Sequence, residues 1–567
     1  MNRKYIIFFL LGISMTACIS LDRYPDDKLS SGTFWKSTQQ ADAAVAGLYT
    51  RMRNQSFAFG LQFSLDCLGN VAMGYDQEGI ATISRGTYTA SDSWVAGKWR
   101  QLYQCVAGTN YFLQNIGKVE MDENLRKEYI AEARFLRAFF YFELTKFYGA
   151  VPLYDETVVV EESYNDMKKG RTPIDEIYEF ILEDIDYAAE YLPDTRPAEF
   201  TGRVCSSAAL ALKGKVLLYA KEYSQAALAF EEVVNSGRHE LYPDYAKLFT
   251  PEGDSSSEMI FAIQNIGGVE KNAGMPMAKF MGTRSTKGSG WNNVMMSSDF
   301  ASTYEWLDGK PFNWDEVFPG FTTDKNVKKT VFKAELTLDG KAVQKYPAEV
   351  DKLKEVWAKR DPRLNATAIL PYTEYMGWVN NAPKLCTYVV ANGVTITNGF
   401  VQGNNNWMAY FFRKFVPESD MGGDAASRDH TPINFPLIRY ADVLLMLAEC
   451  YNEVGRLNEA VDLVNKVRAR AGMPGLNSGP SWLAVSDKEE MSRRIRRERG
   501  WELAGEGLSF DDYKRWGILE TLNGPVQDLL GETPYTRKVT PRDYLWPIPQ
   551  VECDLNEKLK NDQNIGW

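Results

Sequence analysis

The stretch from Ala441 to Gly472 limits what this chain can fold into more than any other. Ala441, Leu444, Leu447, Ala448 and Tyr451 fall at i, i+3, i+6, i+7 and i+10, and after Gly455 the residues Leu457, Ala460, Val464 and Val467 resume helical spacing. Two helices joined by a glycine turn are predicted, each apolar along one stripe. The pattern recurs where Ala208, Leu212, Gly214, Leu217 and Tyr219 lead into Tyr223, Ala226, Ala227 and Phe230. One such hairpin cannot bury its own apolar face, so several must stack.

Small residues in one helix set against an aromatic in the next look like the tetratricopeptide unit. Two further helix pairs are expected upstream. Ser37 and Gln40 resemble a capping box that opens a helix to Arg53, with Ala44, Val45, Leu48 and Met52 in register. Helices follow over Lys98–Ile116 and Leu125–Phe147, and another with Pro173 at its first position runs to about Tyr191. The expected fold is mainly α: four tetratricopeptide-like helix pairs form a scaffold that carries a loop-rich insertion. Residues 37–250 supply three pairs, and residues 430–567 supply the fourth and a C-terminal helical segment. Across residues 251–429 helical periodicity fades, and Gly, Asn, Ser, Thr and aromatic residues interleave at Gly282–Trp291, Trp306–Trp314 and Gly403–Trp407. Thr387–Val390 reads as a short strand. Insertions on one face of a repeat scaffold commonly carry the function.

At the N-terminus, Arg3 and Lys4 precede the apolar run Tyr5–Ile13. That run is too short to cross a bilayer, so residues 1–17 read as a signal peptide. Ala17-Cys18 resembles a bacterial lipobox, with Cys18 lipidated and residues 18–36 a flexible acidic tether. Cys67, Cys105, Cys205, Cys386, Cys450 and Cys553 have no close pairing and are expected as buried thiols.

Lys and Arg total 64 against 75 Asp and Glu, a net charge of −11, which excludes a field suited to nucleic acid. His239 and His430 are the two histidines, with no H-E-x-x-H or paired C-x-x-C, which argues against zinc sites and His-based triads. Lys287-Gly288 stands in the wrong order for a phosphate loop. There is no D-x-D-x-D-G loop, and no cofactor is expected; calcium held by scattered carbonyls would leave no pattern. Glu498, Glu502 and Glu506 share one helix face and could raise one another's pKa, as acid and base do in a glycosidase. Nearby arginines and the i, i+4 pairs Glu489–Arg493 and Glu490–Arg494 favour a structural ion network. Aromatic rings offer flat apolar faces suited to sugars. Six of the 14 Trp, at 291, 306, 314, 357, 378 and 407, lie in the insertion, and Trp291 and Trp314 stand apart from any helical pattern.

Several segments then add up to a resemblance over nearly the whole chain. They are Cys18 with Leu21-Asp22 and Pro25, Ala46-Gly47-Leu48-Tyr49, Glu132 to Ala138 followed by Val151-Pro152-Leu153, and Asp308-Gly309-Lys310. Asp361-Pro362-Arg363-Leu364, Arg439 to Leu445, Glu498-Arg499, Glu502-Leu503, Glu506-Gly507, Arg515-Trp516-Gly517 and Leu545 to Pro549 complete the set. The chain resembles the SusD/RagB family of surface nutrient-binding lipoproteins of Bacteroidetes. The resemblance implies a lipid-anchored, outward-facing outer-membrane protein that binds oligosaccharide or polysaccharide. Such a protein hands its ligand to a SusC-like TonB-dependent transporter without catalysis. By position, it also implies a ligand site drawn from the loop after the first helix and from the insertion. Tyr75, Trp291 and Trp314 are the expected stacking platforms, and Asp66, Asn70, Arg85 and Asn292 the expected hydrogen-bonding partners. The competing readings are a peptide-binding member of the same family and a surface glycosidase.

Overall fold

The computed structural model describes residues 34–53, 56–76, 80–159, 167–268, 273–391, 399–400 and 407–567. Cys18, the signal peptide and most of the tether lie outside these residues.

Antiparallel helices dominate on either side of the insertion. α1 is Thr38–Arg53, α2 Ser93–Ile116, α3 Glu123–Tyr148, α4 Ile174–Tyr191, α5 Ser206–Tyr219 and α6 Tyr223–Asn235. After the insertion come α7 Tyr440–Glu453, α8 Leu457–Arg470 and α9 Lys488–Leu503. Side-by-side packing runs α2 to α3, α3 to α4, α4 to α5 and α5 to α6, crosses to α7 on α6, and ends with α8 and α9. The hairpin spacing explains why. In the α5–α6 pair a Cβ on Gly214 would lie 2.5 Å from the Phe230 ring, so glycine lets the aromatic of the second helix seat against the first. Gly455, with φ +84°, makes the α7–α8 turn.

The ends of these helices follow local rules. Ser37 Oγ accepts from Gln40 N at 3.4 Å, while the Gln40 side chain returns to the N–H of Lys36, one residue before the box expected at Ser37. Asp92 and Asp122 cap α2 and α3 through their carboxylates. Pro173 stands just outside α4 rather than at its first position. Among the described residues no helix is long and apolar enough to cross a membrane. Cys67, Cys105, Cys386, Cys450 and Cys553 are buried free thiols, and Cys205 is a half-buried one.

The insertion enters and leaves through one ladder. β2 (Met259–Ile263) pairs antiparallel with β8 (Phe435–Arg439), Ile263 opposite Phe435 and Met259 opposite Arg439, so both ends are pinned where the scaffold begins and resumes. Between them the chain is more ordered than its composition suggests. Helices Lys325–Phe332 and Pro362–Thr367 start at Asp324 and Asp361, whose carboxylates cap them, and Val350–Ala358 packs beside the first. Of the strand expected at Thr387–Val390, Thr387 and Tyr388 end the second strand of a hairpin, β5 (Glu374–Val379) and β6 (Ala382–Tyr388), and Val389 and Val390 lie beyond it. Asn380 and Asn381, at φ +52° and +61°, turn it.

Candidate functional site

Strand β1 (Ala72–Gly74), just after the first helical turns of the chain, pairs with β3 (Val294–Met296) of the insertion. That ladder joins the two regions in which a site was expected. Tyr75 continues it by donating its N–H to Asn293 O at 2.8 Å, and Asn293 Nδ2 donates to the Asp76 carboxylate.

Beside this ladder the loop Gly282–Trp291 folds tightly on itself. Gly290 N donates to Thr283 O at 2.9 Å and Trp291 N to Lys279 O at 2.6 Å. A Cβ on Gly290 would lie 2.2 Å from Gly282 O, so the two strands of the loop approach as only glycine allows. Positive φ at Gly288, Ser289 and Asn292 completes the contortion. The β5–β6 hairpin docks on this loop: Trp378 N donates to Ser285 O at 2.7 Å, and Tyr375 Oη and Thr283 Oγ1 share a hydrogen bond of 2.8 Å. Gly377 permits the contact, since a Cβ there would meet Ser285 O at 2.8 Å.

Three partly exposed rings, Tyr75, Trp291 and Trp378, gather on the resulting face, with Trp407 and Tyr535 buried beneath the first. Tyr75 meets the edge of Trp407 at 5.7 Å, Trp407 contacts Tyr535 at 5.9 Å, and the Arg85 guanidinium lies 5.4 Å over Tyr535. Trp291 is half-buried with Phe280 against its edge, and Trp378 is half-buried on the hairpin. Polar side chains surround the rings: Lys279, bound to Asp429 at 2.6 Å, Arg428, which donates to Ser289 O at 2.6 Å, and Lys287, 3.6 Å over Trp378. A cleft of about 670 Å³ opens next to them, lined by Phe57, Trp94, Lys279, Phe280, Asp429 and His430. Its size and mixed lining suit a ligand of a few sugar units.

Of the expected site residues, Tyr75, Trp291 and Arg85 reach this face and the others do not. Trp314 is a core ring: Phe321 stacks on it at 4.4 Å, Phe318 lies at 6.1 Å, the rings of Phe312, Phe332 and Trp357 surround it, and Nε1 donates to Ser302 Oγ. Both faces are covered, and it cannot serve as a platform. Asp66 is fully buried and accepts from Gly505 N, Ser509 N and Ser509 Oγ, so it ties the first helical turns to the C-terminal segment. Burial pushes its carboxyl up to about 6 despite those donors. Asn292 is buried in the turn, its N–H donated to Gly282 O. Asn70 lines a separate cleft of about 220 Å³ with Arg496, Trp501 and Tyr513. Arg284, Lys287, Trp378, Trp407, Arg428 and Tyr535 lie at or beneath this face although the sequence marks none of them as a site residue; the Gly- and Ser-rich loop that carries Arg284 and Lys287 is the clearest signal for those two.

The three glutamates are scaffold, as their ion-pair reading predicted, although α9 ends at Leu503 and Glu506 lies beyond the helix. Their partners, however, come mostly from distant segments instead of from α9. Arg363 reaches Glu498 and Glu502, Arg439 reaches Glu258, Glu502 and Glu506, and Lys414 reaches Glu506, all within the interior. Burial raises the Glu502 pKa, but Arg470, Arg439 and Arg363 outweigh it and hold the carboxyl well below the usual range. A carboxylate so held is a poor proton donor.

The family model described as "SusD family" matches residues 257–567, more than half of the chain. The chain belongs to the SusD family. A second model, described as "Starch-binding associating with outer membrane", matches residues 21–218 of this SusD-family chain. SusD-like protein P2 of Formosa agariphila is 27% identical over 578 residues, covering 99% of both chains. The crystal structure of a SusD-like carbohydrate-binding protein from Bacteroides fragilis has a TM-score of 0.73 at 26% identity, covering 93% of this chain and all of that one. A laminarin-binding SusD-like protein shares the fold, with a TM-score of 0.63 at 23% identity over 94% of this chain and all of that one.

Proposed function

We propose that this SusD-family chain captures oligosaccharide or polysaccharide at the cell surface and passes it, chemically unaltered, to a SusC-like TonB-dependent transporter in the outer membrane. The observation that carries the reading is the face where Tyr75, Trp291 and Trp378 lie partly exposed among polar side chains beside an open cleft. Rings of this kind meet the apolar face of a pyranose while neighbouring donors take its hydroxyls. The carbohydrate- and laminarin-binding descriptions of structural neighbours support the ligand class, and the outer-membrane wording of the family description supports the location. Lipidation at Cys18 supplies the anchor in this reading. The arginine-clamped glutamates support binding without hydrolysis. Lys279, Arg284, Lys287 and Arg428 at the face make a cationic peptide a poor fit.

The test is a glycan array followed by isothermal titration of the mature chain with the best oligosaccharide, for wild type and for a Trp291→Ala/Trp378→Ala variant. The variant is expected to lose at least about tenfold in affinity, near 1.4 kcal/mol, with no reducing sugar released by either protein. Unchanged affinity in the variant would sink the assignment of this face.

A further inference from the structure

The cations at the ligand face carry the reading further. Arg428 Nη1 donates to the carbonyls of Gly288 at 3.2 Å and Ser289 at 2.6 Å, and its guanidinium stands 5.0 Å over the Trp291 ring. The Lys279 ammonium stands 4.5 Å over the same ring. Lys287 lies 3.6 Å over Trp378. Among the described residues, neither Arg428 nor Lys287 forms an ion pair; carbonyl oxygens hold one and an aromatic face the other. Among the described acids here, Asp429 is bound to Lys279, Asp76 accepts from Asn293, and Glu418, which accepts from Met376 N on the hairpin, pairs with Arg413.

We propose that the glycan this face accepts is acidic, its carboxylate or sulfate ester groups seated on Arg428 and Lys287 while its rings stack on Trp291 and Trp378. The proposal rests on the glycan-binding reading above. Carbonyls and aromatic faces position a cation without cancelling its charge. A planar guanidinium so held offers paired donors that match a carboxylate or sulfate, and the charge-assisted bonds formed are stronger than those to a neutral hydroxyl. The local sign also runs against the molecule, whose net charge of −11 would otherwise repel an acidic polymer. A low-dielectric rim of aromatic rings focuses that local field.

The experiment uses the mature chain and three sets of oligosaccharides of equal length on one array: neutral, uronic-acid-containing and sulfate-esterified. The best acidic ligand and its carboxyl-reduced or desulfated counterpart then go to titration at low and high salt. The acidic form is expected to bind at least about tenfold tighter at low ionic strength, and to lose most of that advantage when salt shortens the screening length from about 30 Å to about 3 Å. An Arg428→Gln/Lys287→Gln variant is expected to bind the acidic and neutral forms alike. Preference for the carboxylated or for the sulfated arm identifies which anion is read. Equal, salt-insensitive binding of neutral and acidic ligands overturns this inference and leaves the glycan reading standing. Binding to none of the three sets overturns both.

Discussion

Arg439 and Arg428 lie eleven positions apart and are held in opposite ways. Arg439, at the end of β8, is buried among Glu258, Glu502 and Glu506 and donates to all three. Arg428, at the insertion face, is held by two backbone carbonyls and an indole ring. The scaffold answers the buried Arg439 with opposite charges, because an unpaired charge in the interior costs several kcal/mol. The insertion face holds Arg428 on backbone carbonyls and Lys287 on an indole, with no ion pair to either among the described residues, which makes sense where a ligand is to arrive. The same contrast holds for indoles, since Trp314 is sealed by phenyl rings and Trp291 is half open. Satisfied groups set the shape, and incompletely satisfied groups on that shape are available for binding.

The largest effects should come from breaking the satisfied side. Arg439→Met removes the cation shared by three buried carboxylates, leaving Glu258 and Glu502 to Arg470 and Glu506 to Lys414, and is expected to cost about 3–5 kcal/mol, enough to lower the denaturant midpoint of the whole molecule. Trp314→Ala empties an aromatic cluster and is expected to cost a similar amount, about 3–5 kcal/mol. Calorimetry should show it chiefly as weakened cooperativity of the insertion.

Asp66 sharpens the comparison from inside the scaffold, being a fully buried carboxylate with hydrogen bonds but no cation. Its folded pKa of about 6 lies above the ordinary 3.8, so the protonated form is favoured on folding. Stability from this group is therefore complete below about pH 4 and is lost as pH rises to about 6, by up to about 3 kcal/mol. Denaturant titrations of wild type and Asp66→Asn across that window should differ by this slope. Parallel curves would show that Asp66 titrates normally.

On the open side the effects move from stability to affinity. Trp291→Ala alone should leave the melting temperature nearly unchanged while weakening glycan binding severalfold, a contribution of about 1 kcal/mol. Smallest of all is Arg493→Ala on α9. Its exposed pairs with Glu489 and Glu490 lie in solvent, so neither the melting temperature nor affinity should change measurably.

Much of the scaffold was legible because helix formation is local. The spacing of Ala441 to Val467 foretold α7, α8 and the turn at Gly455, and Ala208 to Phe230 foretold α5 and α6. The insertion was legible in outline only. Its Asn380-Asn381 hairpin and the Asp caps at 324 and 361 are readable signals, but the helices and strands between them are too short to show a clear period. Site residues were harder still. Tyr75, Trp291 and Arg85 reached the face, whereas Asp66, Asn70, Asn292 and Trp314 did not, although Trp291 and Trp314 stand in similar Asn- and Gly-rich company.

By itself, the amino-acid sequence determined the helical pairs and the kinship with the SusD family, since periodicity and multi-residue motifs are properties of neighbours along the chain. Only the tertiary structure decided which indole is covered and which is open. Phe332 and Trp357 close over Trp314 from 18 and 43 residues away, while Arg428 reaches Trp291 from the far end of the insertion and leaves the ring partly exposed. Burial is the sum of contacts made by distant segments, and no window along the chain contains that sum.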